Sequence, residues 1–381
     1  MTTAFRYVRT ATYVARGRTT HSSSDKIRSK PVPYQEHTPA TRRIGSTYRG
    51  RVHILERLGI DHPIAQAGMS HMAPPALAVA VARAGALGTL GTCSPAKLSD
   101  GIDQFRQEAP GRTVTVNLLM PFVKPQHVAV CVRQRIDVAV VAFGGDRELV
   151  DRLHDCGALV FVMVGTESQA RTALDGWEAD GLVAQGDESG GHLTGRQPAM
   201  AFLPTALSVA GNDRPVLLAG GIAHATDTRA ALDAGAAGVV AGTRFLLTHE
   251  SPAHPAYQQR ILQCDKTIRT NLFGLGWPAP HRVIANAATF RWCRPDGSAK
   301  GLPAALNAHS AALARFARED GDSNAILRWQ RPFLPFFSPA APDREVPDHW
   351  IERAALYAGD SGQRITSVIG AADAVKSLTP H

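Results

Sequence analysis

Short apolar segments alternate with longer amphipathic segments from residue 62 onward. Several of the short segments are near-continuous runs of valine, leucine and alanine, and most end in glycine or a small polar residue. Such runs are typical of parallel strands that are buried on both faces, and the terminal glycine indicates a turn. The pattern predicts eight strands, at Pro63–Met69, Leu87–Thr92, Thr113–Leu119, Val138–Gly144, Leu159–Gly165, Gly181–Gly186, Pro215–Gly220 and Gly238–Thr243.

The amphipathic segments between these strands carry helix-start signals. Pro95 follows Ser94, an arrangement that caps a helix. The predicted helices are Pro74–Ala84, Pro95–Glu108, Arg147–Cys156, Ser168–Trp177, Pro198–Ala210 and Ala225–Ala234. Eight strand–helix units favour the α/β class and a closed (β/α)8 TIM barrel. An open doubly wound sheet is the alternative, and it requires about two of the strand predictions to be wrong.

The last third of the chain is less regular. Four segments are predicted to be helical: His254–Gln263, Pro303–Ala317, Trp350–Ala358 and Val368–Leu378. Two others, Arg294–Gly301 and Pro332–Pro342, contain glycine or several prolines and are predicted to be loops. We therefore expect a barrel over residues 49–250 and an appended C-terminal helical subdomain over residues 251–381 that packs on it.

Residues 1–48 have a different composition from the rest of the chain. The first fifty residues contain ten lysines and arginines but two acids, which accounts for the whole net charge of +8. Such a segment has too few large aliphatic residues to offset the entropy of ordering, so we expect a basic, disordered tail. A targeting segment and a start assigned too far upstream are alternatives with the same composition.

The remaining composition narrows the class of protein. Acidic and basic residues balance after the tail, which does not favour a nucleic-acid partner. The five cysteines form no CxxC pair, so disulfide scaffolds and zinc ribbons are disfavoured and a cytoplasmic location is expected. No apolar run approaches the ~20 residues that span a bilayer, so no membrane association is expected.

Glycines at the ends of the last two predicted strands indicate a phosphate site. Gly220 and Gly221 precede a predicted helix, and Gly242 and Thr243 follow the eighth strand. In TIM barrels the loops after strands 7 and 8 offer backbone N–H groups to phosphate, and glycine permits close approach. The alternative is that these glycines only terminate strands.

The segment QGDESGGHLTG after the sixth strand contains four glycines, two acids and His192. A glycine-rich loop can pass closely over a flat ligand, and a histidine there can serve as a base or a hydrogen-bond donor. A surface histidine is the alternative. Asp187 and Glu188 could bind a metal with His192, although loop acids are more often solvated or cap helices.

The sequence lacks the residue patterns that other kinds of catalysis require. No lysine lies in a predicted strand, no HxH or HExxH motif occurs, and no cysteine follows a glycine-rich loop. Schiff-base, metal and thiol chemistry are therefore disfavoured. A cofactor is then the expected source of the chemistry, and a phosphate-bearing cofactor in a barrel suggests FMN.

At these residues the chain resembles the nitronate monooxygenase family, formerly called 2-nitropropane dioxygenases. The similar segments occur in family order between about residues 55 and 375 and include AQGDESGGHLTG, which resembles the most diagnostic family motif. The others are HPIAQAGM, LAVAVARAGALGTLGT, VNLLMP, LLAGGIA, GVVAGTRFLLTHES, GLGWPAPHRVIAN and LYAGDSGQRI.

The resemblance implies a barrel fold, FMN as cofactor and His192 as the catalytic residue. The positions implied to contact FMN are Asn117, Gln185, Gly190, Gly221, Val240, Ala241, Gly242 and Thr243. Those implied to pass near the flavin ring are Ala67, Gly68 and Met69. Three departures affect the substrate side of the pocket: Gly68 replaces the usual proline, Ser70–Met72 replaces a glycine-rich stretch, and Ser189 replaces alanine. For His71 we favour a structural role over a second polar contact.

The resemblance implies oxidation of alkyl nitronates, and in some members nitroalkanes, with O2. His192 would take a proton from a neutral nitroalkane or hydrogen-bond to a nitronate anion. A flavin-dependent NAD(P)H enoyl-thioester reductase on the same barrel is the alternative, and a flavin- or phosphate-binding protein without catalysis is a third. An oligomer is compatible with all three.

Overall fold

The computed structural model describes residues 57–310, 328 and 330–380. The predicted tail at 1–48 lies outside these residues, as do positions 311–317 of the predicted helix Pro303–Ala317. The eight predicted parallel strands are all present in one sheet, with shorter bounds. They are β1 (Ile64–Gln66), β2 (Thr89–Leu90), β3 (Thr115–Leu119), β4 (Val138–Ala142), β5 (Leu159–Val164), β6 (Gly181–Gln185), β8 (Val216–Ala219) and β9 (Gly238–Ala241).

The sheet closes into a barrel. Its strand order is β1-β9-β8-β6-β5-β4-β3-β2, and all seven adjacent pairs are parallel. The N–H of Gln66 donates to the carbonyl of Leu87 at 2.9 Å, and the N–H of Leu87 donates to the carbonyl of Ile64 at 2.9 Å. These bonds join β1 to the segment entering β2, so the predicted TIM barrel is confirmed.

Alternation along each strand divides the core into two layers. In β5, Leu159 and Phe161 belong to the cluster that fills the barrel interior, and Met163 packs against it. Val160 and Val162 belong to the larger cluster between the strands and the surrounding helices. Because successive side chains of a strand point to opposite faces, a strand apolar at every position fits a barrel covered by helices.

Seven α-helices lie between the barrel strands: α1 (Pro75–Arg83), α2 (Pro95–Glu108), α3 (Pro125–Arg133), α4 (Arg147–Asp155), α5 (Glu167–Arg171), α6 (Ala199–Ala210) and α7 (Ala225–Asp233). The pattern misses α3. Val128, Val130 and Val132 alternate with other residues there, which imitates the two-residue period of a strand. Pro125 at the first helical turn is the start signal that identifies it.

The chain beyond the barrel contains helices α8 (Thr243–Leu246), α9 (Pro255–Leu262), α10 (Ala287–Trp292), α11 (Gly301–Ala308) and α12 (Ala371–Leu378). The expected helical subdomain is not helical throughout, because β10 (Thr267–Thr270) and β11 (His281–Ile284) pair antiparallel. β11 also pairs with β7 (Gly191–His192), which links this region to the loop after β6. The last helix, α12, packs against α1, α7 and α8 and so lies in the layer of helices around the barrel.

The predicted helix Trp350–Ala358 is also wrong. A 3₁₀ turn covers Asp348–Arg353, and the chain then becomes extended. The N–H of Ile284 donates to the carbonyl of Leu356 at 2.8 Å, and Val283 bridges to Tyr357. Pairing with β11 therefore satisfies the backbone that a helix would have satisfied internally. Within the described ranges no helix has the length and apolar character needed to cross a membrane.

Candidate active site

A cavity of about 380 Å³ opens where the carboxyl ends of the barrel strands meet. Its volume lies in the range of small-molecule and cofactor pockets. The loops after the barrel strands form one side of it, and segments near residues 277, 340 and 358 form the other. All twelve site residues predicted from the sequence line it: Ala67, Gly68, Met69, Asn117, Gln185, Gly190, His192, Gly221, Val240, Ala241, Gly242 and Thr243.

Four residues, Gly220, Gly221, Gly242 and Thr243, form a backbone surface that we call the glycine cradle. Gly220 has φ of +125° and Gly221 has φ of +71°, conformations that side chains disfavour. Gly242 precedes α8, whose first residue is Thr243. The Thr243 hydroxyl accepts a hydrogen bond from the N–H of Gly359, another cavity residue, at 3.0 Å.

The loop after β1 reaches the cavity because Gly68 has no side chain. A Cβ at this position would overlap the Asn117 side chain, which is buried on β3. The Asn117 Nδ2 donates to the Val140 carbonyl at 3.3 Å. Gly68 and Asn117 therefore occupy adjoining space, and a side chain at position 68 would require Asn117 to move.

His71 lies in the 3₁₀ turn Ser70–Met72, beside the cavity. Its Nε2 is 3.0 Å from the carbonyl of Ala341, which can only accept, so Nε2 carries the hydrogen. Burial lowers the pKa of His71. This bond ties the loop after β1 to the chain near residue 341, as expected for a structural histidine.

Gln185, the last residue of β6, holds the following loop in place. Its Nε2 donates to the His192 carbonyl at 3.0 Å, and its Oε1 accepts from the Thr194 N–H and hydroxyl, each at 2.8 Å. Gln185 thus fixes the backbone on both sides of Leu193. The sequence places Gln185 at the site, but the network that it forms could not be read from the sequence.

The two acids of the loop have structural partners. Glu188 accepts from the Ala199 N–H at 2.9 Å and so caps the start of α6. Asp187 accepts from the Arg282 Nη2 at 3.1 Å, and the Arg282 Nε donates to the Asp187 carbonyl at 2.7 Å. Across the described part of the chain no group of three His, Cys, Asp or Glu residues could hold a metal ion. The capping interpretation of Glu188 is therefore the one that the structure favours.

His192 lies on the short strand β7 rather than in an open loop. Its ring stacks on the Trp277 ring, with centroids 3.5 Å apart and planes 13° apart. The rings of Phe143, His281 and Tyr357 lie 6.2, 5.0 and 5.6 Å away. His192 Nε2 is buried and has no hydrogen-bond partner among the described residues.

Burial, and secondarily the nearby His281, lower the pKa of His192 well below its ordinary value. His281 is itself kept neutral, because burial lowers its pKa to about 4. Its Nδ1 lies 3.0 Å from the Ala279 carbonyl, and its Nε2 accepts from the Phe273 N–H at 3.3 Å. His192 is therefore kept as a neutral imidazole, which can accept a proton.

Several cavity residues were not predicted from the sequence. Trp277, Phe122 and Phe143 form an apolar wall, with Phe122 and Phe143 edge-on to Trp277 at centroid distances of 5.5 and 4.8 Å. Phe143 has φ of +63°, an uncommon conformation for a bulky residue and one that often marks a functional site. Tyr357 completes the lining, and its hydroxyl donates to the Pro339 carbonyl at 2.9 Å.

Similar proteins of known structure share this architecture. FabK from Thermotoga maritima superposes with a TM-score of 0.67 and 27% identity, covering 87% of this chain and 95% of that one. A nitroalkane oxidase from Streptomyces ansochromogenes superposes with a TM-score of 0.66, covering 86% and 96%. Its identity of 23% supports the fold alone.

Similar sequences extend the comparison. A (3aS,4S,5R,7aS)-5-hydroxy-7a-methyl-1-oxo-octahydro-1H-indene-4-carboxyl-CoA dehydrogenase from Mycobacterium tuberculosis is 35% identical over 265 residues, which is 68% of this chain and 72% of that protein. A nitronate monooxygenase from Pseudomonas aeruginosa is 29% identical over 338 residues, which is 72% of this chain and 94% of that protein. The sequence profile described as Nitronate monooxygenase matches residues 52–122 and 94–381. The chain therefore belongs to the nitronate monooxygenase family of flavin-dependent oxidoreductases.

Proposed function

We propose that the cavity binds FMN. The glycine cradle supplies backbone N–H groups and the start of α8 for the phosphate, which is the arrangement that TIM barrels use. Ala67, Gly68 and Met69 would lie along the flavin ring, with Asn117, Gln185, Gly190, Val240 and Ala241 completing the contacts. The observation that supports this fit most directly is His192, which lines the cavity and whose buried Nε2 has no hydrogen-bond partner among the described residues.

His192 would then act as the catalytic base. When bound, FMN supplies a two-electron acceptor that O2 can reoxidise. His192 is neutral, so its Nε2 can take a proton from a carbon next to an electron-withdrawing group. The Trp277 ring, which belongs to the apolar wall, covers one face of the imidazole.

The substrate class that we propose is an alkyl nitronate or a neutral nitroalkane, oxidised with O2. A neutral nitroalkane requires His192 as a base, whereas a nitronate anion requires only a hydrogen bond. Among the described residues that line the cavity none is Asp, Glu, Lys or Arg. A second anionic group on the substrate would find no countercharge there, so we expect nitroethane to be favoured over propionate 3-nitronate.

A second candidate is an acyl-CoA thioester. It is favoured by the similarity to the CoA dehydrogenase, whose 35% identity exceeds the 29% identity to the Pseudomonas nitronate monooxygenase. The α-carbon of a thioester is also acidic, so the same His192 could take its proton. An NAD(P)H-dependent enoyl-thioester reductase, the alternative that the sequence leaves open, would catalyse the same class of thioester chemistry in the reductive direction.

Anaerobic stopped-flow spectroscopy separates these functions. The purified protein with bound flavin is mixed with nitroethane, ethyl nitronate, propionate 3-nitronate, NADPH or an acyl-CoA, and flavin bleaching is followed. We expect rapid bleaching by nitroethane and ethyl nitronate. Rapid bleaching by NADPH with none by the nitro compounds would reject the proposal in favour of the reductase, and bleaching by acyl-CoA alone would favour the dehydrogenase.

A further inference from the structure

We propose that Trp277 determines which substrates reach His192 and holds the imidazole in its reactive orientation. This inference rests on the proposed function, because it concerns the proton acceptor of that reaction. The juxtaposition that supports it is the stacked pair of the two rings, with centroids 3.5 Å apart and planes 13° apart.

The stack restricts how a substrate can approach His192. Trp277 covers one face of the imidazole, while Phe143, His281 and Tyr357 lie around the ring. The backbone of His192 is fixed by pairing with His281 and by the Gln185 side chain. The ring is therefore held on several sides, and its buried Nε2 has no hydrogen-bond partner among the described residues.

The turn that carries Trp277 is firmly attached, so the position of the ring is set by the fold. The Asn307 side chain donates to the carbonyls of Asn271 and Leu272 at 2.8 and 2.9 Å, and the Ser310 hydroxyl accepts from the Gly276 N–H at 2.8 Å. The Trp277 N–H donates to the Gly274 carbonyl at 3.0 Å. Gly276 has φ of +82°, which the turn requires.

The same turn is joined directly to the strand that bears His192. The Leu193 N–H donates to the Pro280 carbonyl at 2.9 Å, and Arg282 pairs with Gly191 in the antiparallel ladder. Phe122 and Phe143 approach Trp277 from the loops after β3 and β4. Trp277 thus joins two barrel loops to the chain beyond the barrel, at the apolar wall against which a substrate would lie.

Two consequences follow from this geometry. Removing the indole would open space beside His192, so the kcat/KM for a bulky substrate would rise relative to that for a small one. It would also admit water to the imidazole, and water would raise the pKa of His192 toward its ordinary value of ~6.5, because burial is the main cause of its lowering. Among the described residues, the titratable rings next to His192 are those of His281 and Tyr357; both are buried, and Trp277 does not titrate.

The test uses Trp277→Ala and Trp277→Leu, the second of which keeps more apolar volume if the first fails to fold. Trp350→Phe is the matched control, because Trp350 lies in the 3₁₀ turn Asp348–Arg353 and does not line the cavity. The His192 titration is followed by NMR of ¹³C-labelled histidine, with the His192 signal assigned by its loss in His192→Asn. kcat/KM is measured for phenylnitromethane and for nitroethane.

We expect both Trp277 variants to raise the pKa of His192. We also expect the phenylnitromethane-to-nitroethane ratio of kcat/KM to increase about tenfold, the order of discrimination that pocket size provides. Trp350→Phe should change neither quantity. An unchanged titration, or an unchanged ratio, in a folded variant with full flavin content would overturn the proposal. If the wild-type protein oxidises no nitroalkane, the proposed function fails, while the titration still tests the contact between Trp277 and His192.

Discussion

Replacing His192 by asparagine separates its role in the reaction from its role in the fold. The His192 Nε2 has no protein partner among the described residues, so the substitution breaks no hydrogen bond of this atom. The main structural loss is the stack on Trp277, and an aromatic pair contributes ~0.5–1.5 kcal/mol. We therefore expect the variant to fold and to keep its flavin, with Tm lowered by a few degrees.

The loss in catalysis should be much larger than the loss in stability. General-base catalysis contributes typically ~10²–10⁴-fold, which corresponds to ~2.7–5.4 kcal/mol of the activation barrier. A neutral nitroalkane needs this base, whereas ethyl nitronate has already lost its proton. The rate of flavin reduction by nitroethane should fall by ~10²-fold or more, and the rate with ethyl nitronate should fall far less.

Anaerobic single-turnover flavin reduction by each compound measures this contrast. His154→Asn is the matched control, since His154 lies on α4 in the outer layer of helices and its side chain is a third exposed. The control should retain both rates. Equal losses with nitroethane and with ethyl nitronate, or no loss with either, would refute the assignment of His192 as a base.

Three further predictions follow from the site. The kcat/KM for nitroethane should hold its plateau as the pH falls through ~6.5 and decline only below it, because the lowered pKa keeps His192 unprotonated there; a decline centred above pH 6.5 would contradict this. Gly221→Ala should weaken FMN binding and lower the free energy of unfolding by ~1–2 kcal/mol, since φ is +71°, as measured by flavin fluorescence and urea denaturation; wild-type affinity would exclude Gly221 from the cradle. Asp187→Asn should lower the free energy of unfolding by ~1–3 kcal/mol, because it removes the carboxylate that pairs with Arg282. Asp151→Asn, in an exposed pair, should lower it by under ~1 kcal/mol, and equal losses in urea denaturation would contradict the structural role of Asp187.

The barrel could be predicted from the sequence because its strands depend on a local property. A strand such as β5 is apolar at every position, and this pattern can be recognised in the local sequence without knowing which strands lie beside it. Helix α3 was missed because alternating valines imitate a strand. The extended segment after Arg353 was missed because its conformation depends on pairing with β11, a partner distant in the sequence.

The candidate site, like the fold, could be predicted from the sequence only in part. Glycines and His192 could be located from the sequence, since loops at the carboxyl ends of barrel strands must meet at one end of the barrel. Trp277 could not, because nothing in the pattern around it indicates that its turn lies against β7. The partners of Gln185, Asp187 and Glu188 likewise depend on the folded path of the loop rather than on their spacing.

A crystal structure of the protein with FMN would test directly whether the cofactor binds in this cavity beside His192. We expect the phosphate against the backbone of Gly221, Gly242 and Thr243, and the flavin ring along Ala67–Met69 with the His192 Nε2 facing the cavity beside it. A phosphate bound elsewhere, or a flavin ring separated from His192 by protein, would rule out the proposed FMN site.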